Sequence, residues 1–505
     1  MDRRSLLQTA GFLALGYPLR SLGAFTPRPQ FSSDPFAAGV ASGDPSATGV
    51  VLWTKLMPDV NREQEWQRES IAVDWRIATD ERMEHVVRSG RAVALPSLRH
   101  SVHVEVGGLQ PNRWYWYRFR CGSAQSVTGR TRTAPSGPSD RLRFAFASCQ
   151  KFTDGFYTAY KHMAAEDLDL VVFLGDYIYE GGGTVVRTVP VEEPVTLEGY
   201  RNRYALYRSD PNLREVHRLF PWILTWDDHE VDNNYANSIS EHDDPPAEFL
   251  KRRAAAYQAY YEWLPMPKVC IPHGPDARLY RQRSYGPLAN FLVLDGRQYR
   301  SDQACGDGVK PPCPEFLEER RTMLGASQEK WLDTAFRKSR SHWNILANQV
   351  RMTPVDSKPG PGEEYAMDNW AGYEMARQRL MSSMADSRVA NPVVITGDIH
   401  TNWVCDLKHD YKEQRSPVVA TEFVGTSITS GGNGADSSPN VEAYLREAPH
   451  VRFFNAQRGY VRCEVTPEAM KADYRVVEKV SVEDSPVSTR ATFVVESGKP
   501  GAQRL

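Results

Sequence analysis

Cysteine is scarce in this chain: 7 residues in 505, an odd number. That is far too few for a scaffold built from disulfides, and at least one thiol must stay unpaired. Long apolar runs are also missing. No stretch approaches the roughly 18 uninterrupted apolar residues that a membrane-spanning helix needs, so nothing in the mature chain is expected to cross a bilayer. Neither sign of charge dominates. The 61 Lys and Arg against 63 Asp and Glu leave −2, and no basic block is long enough for a nucleic-acid footprint. The chain has no Gly-x-x-x-x-Gly-Lys loop and no nucleophile-elbow serine, which disfavours an NTPase and a serine hydrolase.

What remains is ordinary globular composition, 41% hydrophobic and 25% charged, over a length that suits about two to four domains. Residues 1–24 read as a secretory signal. Arg3-Arg4 precedes a mild apolar run through Leu15, and Leu22-Gly23-Ala24 offers a small-residue exit. The paired arginines followed by Leu6-Leu7 suggest the twin-arginine translocase as an export partner, and so a periplasmic or secreted protein.

From 36 to 133 the pattern has period 2, as in Ile71, Val73, Trp75 and Ile77, or Val102, Val104 and Val106. Such runs between short turns predict a small all-β sandwich. The Pro/Ser/Gly stretch Ala134–Ser139 reads as a linker. Beyond it, over 140–490, short apolar runs alternate with helical segments at Tyr157–Glu166, Ala247–Trp263, Ser327–Arg337 and Gly372–Met384. An α/β layered domain is expected there.

Chemistry collects where those apolar runs end. Phe144–Ala147 leads into Ser148-Cys149, and Val171–Leu174 into Gly175-Asp176-Tyr177-Ile178-Tyr179. Trp222–Thr225 leads into Trp226-Asp227-Asp228-His229-Glu230 and then Asn233-Asn234; Pro392–Ile395 leads into Gly397-Asp398-Ile399-His400. Ligands of open α/β sheets bind outside the carboxyl ends of the strands. Four aspartates together there require cations or strong pairing. A thiolate and a phenolate suit a transition metal, whereas carboxylate and amide oxygens suit harder ions, so the mixture points to more than one metal. Arg297 and Arg300 are candidate phosphate clamps, with ordinary ion pairing as the alternative. Cys305 and Cys313 flank a loop and are either paired after export or free.

These motifs resemble a variant of the calcineurin-like metallophosphoesterase signature. That signature runs Asp-x-His, Gly-Asp-x-x-Asp, Gly-Asn-His-Asp/Glu, Gly-His-x-His. The chain is more closely similar to the PhoD-type alkaline phosphatase/phosphodiesterase family. The likeness extends through Phe36–Pro45, Trp226–Asn234, Asp295–Arg300 and Thr421–Ser427. It implies a layered calcineurin-like sandwich preceded by an immunoglobulin/fibronectin-like β-domain, and hydrolysis of phosphomonoesters, phosphodiesters or both. It also implies a centre of one Fe3+ and two Ca2+. Cys149, Asp176, Tyr179 and His400 would hold iron. Asp176 would bridge to calcium, with Asp227 or Asp228, Asn234 and Asp398 adding oxygens. Cys149 and Tyr179 stand where the general signature has other ligands, which makes a two-zinc or two-manganese site the poorer reading. His229 occupies the position that contacts phosphate or leaving group. A monomer is expected. The competing reading is a non-catalytic protein that binds cell-wall polymers; it would require lost ligands, and each motif here keeps a donor.

Overall fold

The computed structural model describes residues 31–57, 68–413, 415–439 and 441–505. The expected signal, with Arg3 and Arg4, lies outside them. Two large sheets organise the chain. A ten-stranded sheet runs in the order 499–504, 487–496, 469–477, 459–465, 142–147, 170–173, 221–224, 40–43, 50–55 and 101–106. An eight-stranded sheet runs 281–285, 289–293, 343–347, 392–396, 418–424, 402–408, 451–457 and 434–435.

Side-chain alternation stacks these sheets into layers. In the strand Leu142–Ala147, Leu142, Phe144 and Phe146 join one core with Phe291, Ile345, Val393 and Phe423 of the second sheet. Ala145 and Ala147 face the opposite way, into a core shared with helices Thr158–Ala164, Leu197–Arg208, Pro211–Leu219 and Pro246–Trp263. The second sheet's outer face, with Leu292, Leu346 and Val394, packs on helices Gly325–Lys338 and Glu374–Ser387. The result is helix, sheet, sheet, helix, each sheet buried on both faces. That burial is why its parallel strands read as short continuous apolar runs.

The described part of 36–133 does fold mainly as β-strands, but three of these strands extend the large sheet. Val40–Gly43 pairs in parallel with Pro221–Leu224, and Val50–Lys55 and Ser101–Val106 follow it to the edge. A five-stranded sheet built on Ile71–Ala78 and Trp114–Cys121 closes over these strands. Val73, Ile77, Tyr117 and Phe119 meet Val40, Leu52 and Val104 between them. No helix among the described residues is long and apolar enough to cross a membrane. Cys305 and Cys313 form a disulfide, and the other five cysteines are free and buried.

Candidate metal centre

The parallel strands Leu142–Ala147, Leu170–Phe173 and Pro221–Leu224 end side by side, and their loops lock together. Cys149 N donates to Gly175 O at 3.1 Å and Gln150 N to Asp176 O at 3.1 Å. A parallel bridge between Ser148 and Ser427 ties this edge to the second sheet, from which Asp398 and His400 come. The turns are tight. Cys149, Asp176, Asn234, Asp398 and His400 all adopt left-handed backbone, with φ of 59°, 59°, 50°, 66° and 54°. Such residues cost about 1–3 kcal/mol each and gather at functional sites. Gly175 has φ 117°, and a Cβ there would lie 2.4 Å from Asp227 Cβ. Only glycine lets these two ligand loops approach so closely.

A buried glutamate that sequence reasoning quoted without a role holds the loops in place. Glu230 accepts backbone N–H groups from Asp176 at 3.0 Å, from Asp227 at 2.8 Å and from Tyr177. It sits inside the Asp227-Asp228-His229-Glu230 motif, and its position there was the available signal.

The expected ligands converge into three groups, in each of which the donor atoms lie within 4.8 Å of one another. They are Cys149, Asp176 and His400; Asp176, Asp228 and His229; and Asp227, Asp228 and Asp398. Asp176 links the first two groups and Asp228 the last two. Tyr179 belongs with the first: its hydroxyl donates to Asp176 Oδ2 at 2.9 Å and lies 3.1 Å from His400 Nε2. Asn234 adjoins the third, its backbone N–H donating to Asp228 Oδ2 at 2.8 Å. Both Asp227 and Asp228 keep one oxygen toward the cluster, so either can be a donor.

This donor set fits metal ions. Asp176 Oδ1 and Asp227 Oδ2 are buried without a hydrogen-bond partner, and Asp228 Oδ1 has only the Arg297 guanidinium at 3.4 Å. An unsatisfied buried carboxylate oxygen is costly unless a cation meets it. Burial and neighbouring carboxylates push Asp176 and Asp398 well above the usual carboxylate range, and burial raises Asp227 to about 7 against the pull of Arg297. Asp228 is held low despite burial, because Arg297 and His229 flank it. Burial and the Asp176 charge likewise raise Cys149 and Tyr179. Burial, then the nearby His229 charge, keeps His400 neutral, with a pKa near 3. Neutral imidazole is the form that binds a metal.

Arg297 and Arg300 are both engaged by buried carboxylates. Both are fully buried. Arg297 binds Asp227 Oδ1 at 2.5 Å and Asp368 Oδ1 at 2.9 Å, and its Nη2 lies 3.4 Å from Asp228. Arg300 also pairs with Asp368. Both arginines thus make ion pairs, the alternative to a phosphate clamp that the sequence left open. Asp368 escaped sequence reasoning because it follows a two-residue strand, with no apolar run to mark it.

His229 is fixed by a second overlooked glutamate. Its Nδ1 lies 2.7 Å from Glu180 Oε2, and its ring tilts over Tyr179 with centroids 4.1 Å apart. Burial disfavours its charged form, but Glu180, Asp228 and Asp176 outweigh that and hold its pKa well above the ordinary histidine value. Glu180 directly follows Tyr179, in a motif whose spacing pointed only as far as the tyrosine.

Comparison with known proteins identifies the family. Residues 144–474 match the model of the PhoD-like phosphatase family, and residues 23–135 match that of the PhoD-like phosphatase N-terminal domain. The chain is 48% identical to alkaline phosphatase D of Bacillus subtilis (strain 168), over 100% of this chain and 89% of that one. It superposes on the solved structure of PhoD with a TM-score of 0.92 and 49% identity, covering 94% of this chain and 93% of that one. The chain belongs to the PhoD-like phosphatase family.

Proposed function

We propose that this protein is an exported phosphoesterase of the calcineurin-like type, acting on phosphomonoesters, phosphodiesters or both with one ferric and two calcium ions. The observation that carries this reading is the chain of three donor groups, joined through Asp176 and Asp228 and bearing carboxylate oxygens with no protein donor. Cys149, Asp176, Tyr179 and His400 would hold the iron, and Asp176, Asp227, Asp228, Asn234 and Asp398 the calcium ions. Bound there, the ions would neutralise phosphoryl oxygens and acidify an attacking water.

The chain's own residues supply the rest. With Nδ1 held by Glu180, His229 keeps Nε2 for the substrate and can pass a proton to the leaving oxygen. Arg297 aligns Asp227 and Asp228 and favours their ionised forms, fully so for Asp228 and against burial for Asp227. Tyr179 and Cys149 favour iron over calcium in the first group through their softer, more covalent donors. The division into a β-domain at 36–133, which lends three strands to the large sheet, and a catalytic domain at 140–490 belongs to the same proposal. So do removal of residues 1–24, export by the twin-arginine route to the periplasm or medium, and a monomeric state. The polymer-binding alternative is disfavoured because no motif has lost its donor.

The test is hydrolysis of p-nitrophenyl phosphate and its bis ester by natively exported protein, before and after dialysis against EGTA. Turnover of at least one ester, lost on dialysis and restored by calcium, is expected. No turnover of either ester by metal-replete protein would overturn the reading.

A further inference from the structure

Asn234 is the one neutral ligand in the proposed calcium set, and an amide ligates only through its oxygen. Its two ends have nearly the same shape, so hydrogen bonds alone decide which end faces an ion. The main chain of Asn234 is fixed on both sides. Its N–H donates to Asp228 Oδ2 at 2.8 Å, and its C=O accepts from Gln303 Nε2 at 2.6 Å. Gln303 is itself tied to Asp368 Oδ1 at 2.8 Å. Rotation of the amide is the freedom left, and one contact settles it: Asn234 Nδ2 donates to Asp307 Oδ2 at 2.6 Å. A carboxylate is a pure acceptor and can face only the NH2 end, which leaves Oδ1 turned away from Asp307.

Asp307 stands on a glycine-flanked loop, where its other oxygen, Oδ1, accepts from Gly308 N at 2.6 Å. Its neighbours Gly306 and Gly308 have φ of 78° and 90°, and a Cβ at either would meet nothing within 4 Å. The chain there is anchored in two ways. The Cys305–Cys313 disulfide closes the loop, and the pairing of Val309–Lys310 with Tyr365–Ala366, with Met367 N bonded to Gly308 O at 2.9 Å, binds it to the segment carrying Asp368. The loop therefore bridges two segments of the centre, one bearing Asn234 and the other Asp368.

We infer that the Cys305–Cys313 loop is a positioning device for the metal centre, in which Asp307 orients the Asn234 amide so that its oxygen faces the calcium side. The inference deepens the metal-centre reading and rests on Asn234 being a ligand. Asp307 is a positioning residue, not a catalytic one. Because the loop is closed by a disulfide, the calcium side is fully formed only in protein that has reached an oxidising compartment.

The test titrates Ca2+ calorimetrically into full-length exported protein that retains its iron and has been freed of calcium with EGTA. Partners that orient metal ligands are worth about 10- to 100-fold in affinity. Asp307→Ala should therefore weaken calcium binding at least about tenfold while leaving iron content and visible absorption unchanged. Asp307 accepts from Gly308 N as well as from Asn234 Nδ2, and Asp307→Asn keeps one oxygen for the two donors, so it should recover part of that loss. The Cys305→Ser/Cys313→Ser double variant should reproduce Asp307→Ala. If Asn234→Ala binds calcium poorly while Asp307→Ala binds like the parent, the positioning role is wrong. If Asp307→Asn is as weak as Asp307→Ala, the charge acts rather than the orientation, and the proposal also fails. Parental affinity in the double serine variant would remove the loop from the account. Parental affinity in Asn234→Ala would instead show that Asn234 is no ligand.

Discussion

Gly175→Ala is a one-carbon perturbation that tests how closely the ligand loops must approach. The added Cβ would lie 2.4 Å from Asp227 Cβ, 2.6 Å from Asp227 N and 2.9 Å from the carbonyl carbon of Trp226. Carbon atoms in contact settle at about 3.5–4.0 Å, so one loop must retreat by roughly 1 Å. All three atoms belong to Asp227 and the adjoining backbone, which Glu230 fixes, so no flexible side-chain end can yield instead. The φ of 117° adds strain of about 1–3 kcal/mol for any residue with a Cβ. Together these give a destabilisation of about 2–4 kcal/mol. They also separate Asp176 from Asp227, and a 1 Å misplacement of this kind costs about 100-fold in rate. Urea unfolding and kcat/KM for p-nitrophenyl phosphate read the two effects separately. A variant within about threefold of parental kcat/KM and about 0.5 kcal/mol of parental stability would refute the close-approach argument.

Three further outcomes follow from other parts of the molecule. Arg297→Met removes the cation shared by Asp227, Asp228 and Asp368, and breaking such a buried set costs about 3–5 kcal/mol; an unfolding midpoint equal to the parent's would show that the aspartates do not depend on it. His217 is buried, stacked on Trp222 at 3.8 Å, with a pKa well below the ordinary value because burial disfavours its charge. It is neutral in the fold but takes up a proton near pH 6.5 when unfolded, so its share of stability falls as pH drops. Between pH 6.5 and 5, His217→Phe should therefore lose about 1 kcal/mol per pH unit less than the parent, and identical slopes would contradict this. Replacing Arg3 and Arg4 by Lys should trap folded, unprocessed precursor in the cytoplasm, as read by immunoblot of cell fractions; normal processing would indicate another export route.

Much of the site was legible because its donors follow apolar strand runs that read plainly, as at Phe144–Ala147 and Pro392–Ile395. The groups that hold those donors were not, because they act through partners distant in sequence. Asp368 meets Arg297 across 71 positions, and Glu180 meets His229 across 49. The partners of the arginines were hidden for the same reason, since the sequence shows Arg297 and Arg300 after a strand but not Asp227 and Asp368 against them. Helices Ala247–Trp263 and Ser327–Arg337 were placed to within one or two residues of Pro246–Trp263 and Gly325–Lys338. Leu197–Arg208 and Pro211–Leu219 were missed, although Thr196 and Asp210 cap them and Pro211 opens the second. The register that joins Val40–Gly43 to Pro221–Leu224 is a long-range pairing that no local pattern encodes.

The central claim is that Cys149 and Tyr179 select iron within a mixed-metal centre, and its most direct test is the metal content and visible spectrum of natively exported protein beside Tyr179→Phe. One iron and two calcium ions per chain are expected. A coloured protein is also expected, because phenolate and thiolate bound to ferric iron absorb visible light, with a band that shifts or vanishes when the Tyr179 hydroxyl is removed. An active, colourless protein carrying two zinc ions, with turnover unchanged in Tyr179→Phe, would contradict it.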